Sequence, residues 1–391
     1  MRVLHVSPYF APAFRYGGPP RSILGLCQGL QRAGVQVEVI TTAANGPSDL
    51  AASPAGGDEY EGVPVRYLPV AFPRRFFGAR TRDALTEALT RVDLCHIHGL
   101  WNVPEWSAVR LARARDVPYV ISPRGMLLPA AVRRGRWRKR VAFGLLESSN
   151  LRHAALIHAT SQDEADELAR LRLGVRTAVV PNGVDLEAAA NAAPGFRRRL
   201  AIADEAFVVA FVGRLHRIKR LDLLTQAFID LRRTYADAHL VIAGPDEDGL
   251  LEGVRRTAAD HAAFVHTIGS VNDADKWALL RSADVSVQCS DSESFGLAVV
   301  EAMAASRPVV VTRTCPWPEI ETQGCGLWVE QSAAGIAAGL RALAGDPARA
   351  RQMGLAGARF AREHYGWNVI GRRVADLYAD VLARTGSQRV A

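Results

Sequence analysis

Glu293-Ser-Phe-Gly-Leu-Ala-Val-Val-Glu301 sets two carboxylates eight residues apart around an apolar run. Before it stands Asp284-Val-Ser-Val-Gln-Cys289, which reads as a buried strand, and Phe295-Gly-Leu-Ala-Val-Val opens a helix. Strand, loop and helix in that order make the repeating unit of an α/β fold. A helix rises about 1.5 Å per residue, so the two carboxylates stand about 10 Å apart. That is too wide for a facing pair acting on one bond, and it suits two grips on one long ligand. The helix N-terminus between them, with unpaired N–H groups and a favourable dipole, is a place for an anion such as pyrophosphate.

Upstream, Phe211-Val-Gly213-Arg214-Leu-His216-Arg-Ile-Lys219 carries a strand into a loop with two cations ahead of a helix over 220–233. Arg grips phosphate through its fork and Lys as a mobile point charge. A basic βα loop is weak evidence alone and becomes specific beside Glu293 and Glu301. Strands at 207–213, 239–244, 265–269, 284–289 and 307–312 alternate with helices through this half. The first half repeats the pattern with strands at 2–7, 35–42, 94–99, 118–122, 156–161 and 177–181, and helices near 20–32, 104–115, 136–149 and 161–172. Apolar strands alternating with helices predict parallel sheets covered on both faces. The expected architecture is α/β: two doubly wound, Rossmann-like domains with an interdomain cleft where a ligand sits. The expected divisions are 1–187 for the first domain, 188–200 for a small-residue linker, 201–365 for the second domain and 366–391 for a terminal helix.

A chain of 391 residues exceeds one ordinary core, in keeping with two domains. No apolar run reaches membrane-spanning length. Met1-Arg-Val-Leu-His-Val-Ser-Pro reads as a first strand and not as a signal peptide. The five cysteines form no CxxC pair, so disulfides and a zinc site are not expected and a cytoplasmic location is. Of the net charge of +8, residues 1–190 supply +7, from 24 Lys+Arg against 17 Asp+Glu. Much of it lies in Arg133-Arg-Gly-Arg-Trp-Arg-Lys-Arg140, either a solvated helix face or a patch for anionic lipid or a phosphorylated acceptor at the membrane surface. No recognition motif supports nucleic acid beyond the charge itself. Only Lys139, Lys219 and Lys276 are lysines in an arginine-rich chain, so each is less easily an arbitrary cation.

Gly213-Arg214-x4-Lys219, His239-Leu-Val-Ile-Ala-Gly244-Pro245, Glu293-x-Phe-Gly-Leu-x3-Glu301-Ala-Met303 and Arg307-Pro-Val-Val310 follow one another at suitable spacing. In these motifs, and from its first strand to its last helix, the chain resembles the family 4 glycosyltransferases, retaining enzymes of the GT-B fold that use nucleotide sugars. The resemblance implies a sugar transferase of hexosyl type, acting from a nucleoside-diphosphate sugar onto an acceptor hydroxyl. The acceptor would be a saccharide or lipid-linked saccharide of an exopolysaccharide, capsule or lipopolysaccharide. It implies that Arg214 and Lys219 neutralise the donor pyrophosphate, that Glu293 holds sugar hydroxyls beside the anomeric centre, and that Glu301 binds the ribose. Backbone N–H groups of Phe295, Gly296 and Leu297 would meet sugar and phosphates. Neither a metal nor another cofactor is expected, and Asp246-Glu-Asp248 reads as solvated acids in a turn.

In the first domain, Tyr16-Gly17-Gly18-Pro19-Pro20 is either a loop facing the ligand through Gly17 and Gly18 or a structural turn into a helix. Many family members carry a histidine after the strand matching Tyr119-Val-Ile-Ser122, where this chain has Pro123-Arg124-Gly125. Arg124 cannot act as a base, yet it can orient hydroxyls or stabilise developing negative charge. His98, in His96-Ile-His98, is a second candidate, and strand alternation predicts that one of the two histidines is buried. Transfer in the family is generally described as front-face, the leaving phosphate accepting the acceptor proton, so a missing histidine is compatible with activity. A nucleotide-sugar-binding protein without transferase activity, or a GT-B epimerase or phosphorylase, is the alternative. The terminal segment from His364 to Leu382 resembles the helix that crosses back to brace the first domain, allowing hinged closure.

Overall fold

The computed structural model describes residues 1–46, 48–50, 59–70, 79–129 and 143–390. The basic run Arg133–Arg140 lies outside the described residues. The chain divides into two compact units, Met1–Gly183 with Trp367–Ala391, and Val184–Gly366.

The first unit is built on an eight-stranded sheet. Its strands are β1 (Arg2–Val6), β2 (Gln36–Thr42), β3 (Glu59–Tyr60), β4 (Val63–Leu68), β5 (Leu94–His98), β6 (Tyr119–Ser122), β7 (Leu156–Ala159) and β8 (Thr177–Val179). They run in the order β8-β7-β6-β5-β1-β2-β4-β3, and all neighbouring pairs are parallel except β3 with β4. Strand order therefore reverses between β1 and β5, the place where a doubly wound sheet parts its loops and accepts ligands. Every residue of β5 is buried, because helices cover both faces of a central parallel strand. The expectation that alternation would bury one of His96 and His98 is thus corrected: both are.

The terminal helix Trp367–Val390 packs within this first unit against the helix Gly18–Arg32. The contact needs glycine, since a Cβ at Gly29 would stand 2.4 Å from the Trp367 carbonyl oxygen and one at Gly371 2.3 Å from the Gly29 backbone. Ile370, Val374, Tyr378 and Val381 of that helix join the core beneath β1, β2 and β6.

The second unit holds a six-stranded, wholly parallel sheet of β9 (Val208–Val212), β10 (His239–Ala243), β11 (Val265–Gly269), β12 (Val285–Gln288), β13 (Val309–Thr312) and β14 (Gly326–Val329). The order β11-β10-β9-β12-β13-β14 is the 3-2-1-4-5-6 arrangement of dinucleotide-binding folds, with its switch point between β9 and β12. Residues 188–200, expected as a linker, are instead part of this unit. They lie largely in the short helices Leu186–Asn191 and Phe196–Arg199, and Ala189 and Phe196 are buried in its core. Small residues there pack closely in that core.

Candidate functional site

The loops leaving β9 and β12 at the switch point carry the residues singled out by sequence. After β9 the chain makes a single turn, Arg217–Lys219, capped by the His216 ring, which accepts from the Ile218 N–H at 3.2 Å. The Asp291 N–H donates to the Ile218 carbonyl at 2.8 Å, and the Cys289 thiol to the Lys219 carbonyl at 3.3 Å. These bonds tie the two loops together and bring Lys219 to Glu293.

Three donors converge on one oxygen of Glu293, its Oε1: the Lys219 ammonium, the Gln288 amide at 2.5 Å and the Ser290 hydroxyl at 2.7 Å. Burial alone would raise this carboxyl. The Lys219 charge and the three hydrogen bonds outweigh it and hold the group below the ordinary carboxylate range. Glu293 is therefore a fixed anion at neutral pH, not an acid. Gln288 and Ser290 were not read from the sequence, although both flank Glu293 in the strand–loop segment that was.

Gly296 caps the helix Leu297–Ala304 with φ +84°, a left-handed conformation, and a Cβ there would stand 3.1 Å from the Trp317 indole nitrogen. The Trp317 Nε1–H donates to the Phe295 carbonyl at 2.5 Å. The Phe295 ring is buried against Trp317 and Tyr365, so only its backbone is free to meet a ligand. Glu301 lies just over one turn into the helix, where its Oε1 takes the Lys276 ammonium at 2.6 Å. Lys276, on the helix Asp273–Ser282, is itself 8% exposed, also meets Asp273 at 3.0 Å and lies 4.7 Å from the Trp277 ring centre. Two of the chain's three lysines thus pair with the two glutamates that frame the motif. Lys276 was not singled out from the sequence; the scarcity of lysine is the signal that could have found it.

Arg214 stands apart from this group. Its Nη1 donates to both carboxylate oxygens of Glu247, at 3.1 and 3.0 Å, in a partly exposed pair. The other acids of that turn are engaged too. Asp246 accepts from the Leu250 and Leu251 N–H groups at 2.8 and 3.0 Å, and Asp248 from the Arg217 N–H at 2.8 Å.

In the first unit, Gly17 (φ +84°) caps the helix Gly18–Arg32, whose next residues are Pro19 and Pro20. Ser22 of this helix, His98 at the end of β5, Arg124 after β6 and Asn182 after β8 meet at the carboxyl ends of the strands. The Arg124 Nη1 donates to Ser22 Oγ at 2.8 Å and to Asn182 Oδ1 at 3.2 Å, and its Nε donates to His98 Nδ1 at 3.2 Å. With Nδ1 accepting, His98 carries its proton on Nε2, which donates to His5 Nδ1 at 2.9 Å. Both ring nitrogens of His98 are engaged, and burial holds its pKa well below the ordinary value. In this arrangement it orients Arg124.

His5, His96 and His98 also bring ligand atoms within 4.8 Å of one another, the group of described residues that could hold a metal ion. The His98–His5 bond and the adjacent guanidinium compete with that use. Three carboxylates shape the neighbouring loops. Glu164 accepts from Gly125 N at 2.5 Å and Thr160 N at 2.7 Å, and Glu147 from Trp101 N at 2.6 Å. Glu105 is buried beside Asn102, and burial pushes it up to about 8.

Such a pair of parallel doubly wound sheets, one with cations and a fixed carboxylate at its switch point, is found in GT-B glycosyltransferases. Residues 17–183 match the family described as glycosyl transferase 4-like domain, and residues 194–360 the family glycosyl transferases group 1. The chain is 31% identical to the D-inositol 3-phosphate glycosyltransferase of Streptomyces avermitilis, over 97% of this chain and 86% of that one. It is 26% identical to the GDP-mannose:cellobiosyl-diphosphopolyprenol alpha-mannosyltransferase of Komagataeibacter xylinus, over 98% and 94%. The fold matches Anabaena HepE, solved with UDP and glucose, with a TM-score of 0.75 at 19% identity over 97% of this chain and all of that one. The chain belongs to the family 4 glycosyltransferases of the GT-B fold, and it is a glycosyltransferase enzyme. No helix among the described residues is long and apolar enough to cross a membrane.

Proposed function

We propose that this enzyme moves a hexose-type unit, with retention of anomeric configuration, from a nucleotide sugar to an acceptor hydroxyl. The observation that carries the reading is the Glu293–Lys219 pair at the β9/β12 switch point, where all three donors meet Oε1 of Glu293. Oε2 then takes a sugar hydroxyl, and the Lys219 ammonium stabilises the departing diphosphate. Backbone N–H groups of Phe295, Gly296 and Leu297 at the helix start add to the anion site. Glu301, oriented by Lys276, takes the ribose. Arg214 joins the diphosphate by leaving Glu247, an exposed partner whose hold is worth about 0–1 kcal/mol.

The diphosphate charge is met in this reading by Lys219 and Arg214 without a metal, since Asp246 and Asp248 already accept from helix and loop N–H groups. Names of relatives, an inositol 3-phosphate glycosyltransferase and a mannosyltransferase acting on a diphosphopolyprenol-linked sugar, support a saccharide or lipid-linked acceptor. We place the reaction in surface-polysaccharide assembly, in the cytoplasm or at the inner membrane surface through Arg133–Arg140.

Thermal-shift titration with UDP-, GDP- and ADP-sugars tests the donor. A ligand at about 100 times its dissociation constant adds roughly 2.7 kcal/mol, and Lys219→Ala must lose most of that shift. Stabilisation that survives both Lys219→Ala and Glu293→Ala removes the proposed site. Product analysis by NMR decides the configuration: an inverted anomeric centre rejects retention.

A further inference from the structure

The guanidinium of Arg124 is packed among neutral groups. Its bonds run to His98 Nδ1, Ser22 Oγ and Asn182 Oδ1, and among the described residues no carboxylate lies within salt-bridge distance. Ser22 and His98 are 2% and 1% exposed, while Arg124 keeps part of its surface. The Nε and Nη2 groups both point at the single lone pair of His98 Nδ1, at 3.2 Å each, so five N–H donors meet only three acceptors. His98 is neutral, since its Nδ1 accepts here and its Nε2–H is given to His5.

Glu164 is the carboxylate that acts on Arg124 electrostatically, and its oxygens bond Gly125 N, Thr160 N and the Thr160 hydroxyl. It fixes the loop and offsets part of the Arg124 charge without bonding the guanidinium. Arg124 and Gly125 are held there at φ +53° and +78°, a strained placement for the arginine that costs about 1 kcal/mol or more. Burial lowers the guanidinium only to about 10, so it stays charged at neutral pH. A half-buried guanidinium whose direct hydrogen-bond partners are all neutral, with one N–H to spare, keeps the capacity to bind an anion. The carboxyl ends of β5 and β6, beside the switch point of the first sheet, are where that anion would arrive.

We infer that Arg124, with Ser22 and Asn182, forms an oxyanion-binding subsite of the first unit, separate from the donor diphosphate, that takes a phosphate or carboxylate group of the acceptor. Assigning this group to the acceptor rests on the transferase reading above; binding of the oxyanion does not. A planar fork suits either anion, and both sources present the same two oxygens.

The test is run with UDP at saturation, so that Lys219 and Arg214 are occupied, and at constant ionic strength. Glycerol 3-phosphate and glucuronate are titrated against thermal unfolding, with sodium chloride as reference. One of the two should stabilise the wild type saturably, and Arg124→Gln should weaken that response by about tenfold or more while its UDP shift is unchanged. A response to glycerol 3-phosphate alone assigns a phosphorylated acceptor, and one to glucuronate alone an acidic sugar. No response beyond chloride in the wild type, or an equal response in Arg124→Gln, overturns the subsite. If Arg124→Gln does not fold, Arg124→Lys decides: weakened binding supports the fork, undiminished binding rejects it. Loss of the UDP shift in the wild type would count against the transferase site instead.

Discussion

Glu293 and Glu301 look equivalent in sequence and differ in surroundings. Glu293 sits under three donors, and a glutamine in its place keeps an oxygen for them to bond while removing the charge that pairs with Lys219. Glu293→Gln should lower kcat by about a hundredfold or more, with thermal stability within a few degrees of wild type. Measured kcat near wild type would remove Glu293 from the chemistry. Lys276→Met frees Glu301 from its cation, and we expect the donor KM to rise about tenfold at nearly constant kcat. Lys276→Arg should recover part of the loss, which a purely structural lysine would not explain. Glu247→Gln releases Arg214 and should lower the donor KM by up to about fivefold; an increase would show that Glu247 organises the site. Full activity in EDTA is expected as well, since Lys219 and Arg214 supply the charge. At this scale the motif residues were legible because chain-local spacing puts Glu293, Gly296 and Glu301 on one loop and helix. Lys276 and Arg124's partners were not, because they arrive from elements 25 to 102 residues away.

Elements with uniform burial were easiest to read. β9 and β10 are nearly continuous apolar runs between turn-forming residues and β12 is buried throughout, and the structure places strands there. β4 and β14 were missed. Val-Pro-Val-Arg-Tyr-Leu has proline and arginine on its outer face, and Gly-Leu-Trp-Val is only four residues long. β14 is the edge strand of its sheet and β4 lies next to an edge, where one-sided exposure weakens the signal. A terminal helix bracing the first unit was expected from the family resemblance, but its partner helix Gly18–Arg32 and the glycines that let the two meet were not read from the sequence. Gly371→Val should force backbone against backbone and cost about 3 kcal/mol, read as a lower denaturant midpoint. A neutral effect would mean that the helices part easily.

At the scale of the molecule, the two units should answer acid differently. Burial lowers His5 to about 3 and His158 to about 4, and pushes His96 and His98 well down, so all four are neutral when folded. The unfolded chain takes up protons below about pH 6.5, and the first unit therefore loses stability from there downward, roughly 2 kcal/mol per histidine by about pH 5. Glu105 works the other way, since its folded pKa of about 8 favours the folded state as pH falls, and it cancels about one histidine. The net is a first unit that melts earlier at about pH 5 than at about pH 7.5, with unit two changed less. A flat melting profile over that range would disprove it. Two domains were legible in the repeat of the strand–helix pattern, whereas the packed role of 188–200 was hidden by its alanine-rich composition.

The first unit is assembled from both ends of the chain, with residues 184–366 entered between them. During synthesis the second unit is finished and able to close on itself while the first still waits for its last helix. Until Trp367–Val390 leaves the ribosome, the apolar surface meant for Ile370, Val374 and Tyr378 stays wet, and His96 has no Tyr378 hydroxyl at 2.6 Å. The order of folding is thereby the reverse of the order of translation: second unit first, first unit last. A nonsense change shortly before Trp367 would leave a folded second unit joined to a sticky, unfinished first one, a product for proteases and not a partial enzyme.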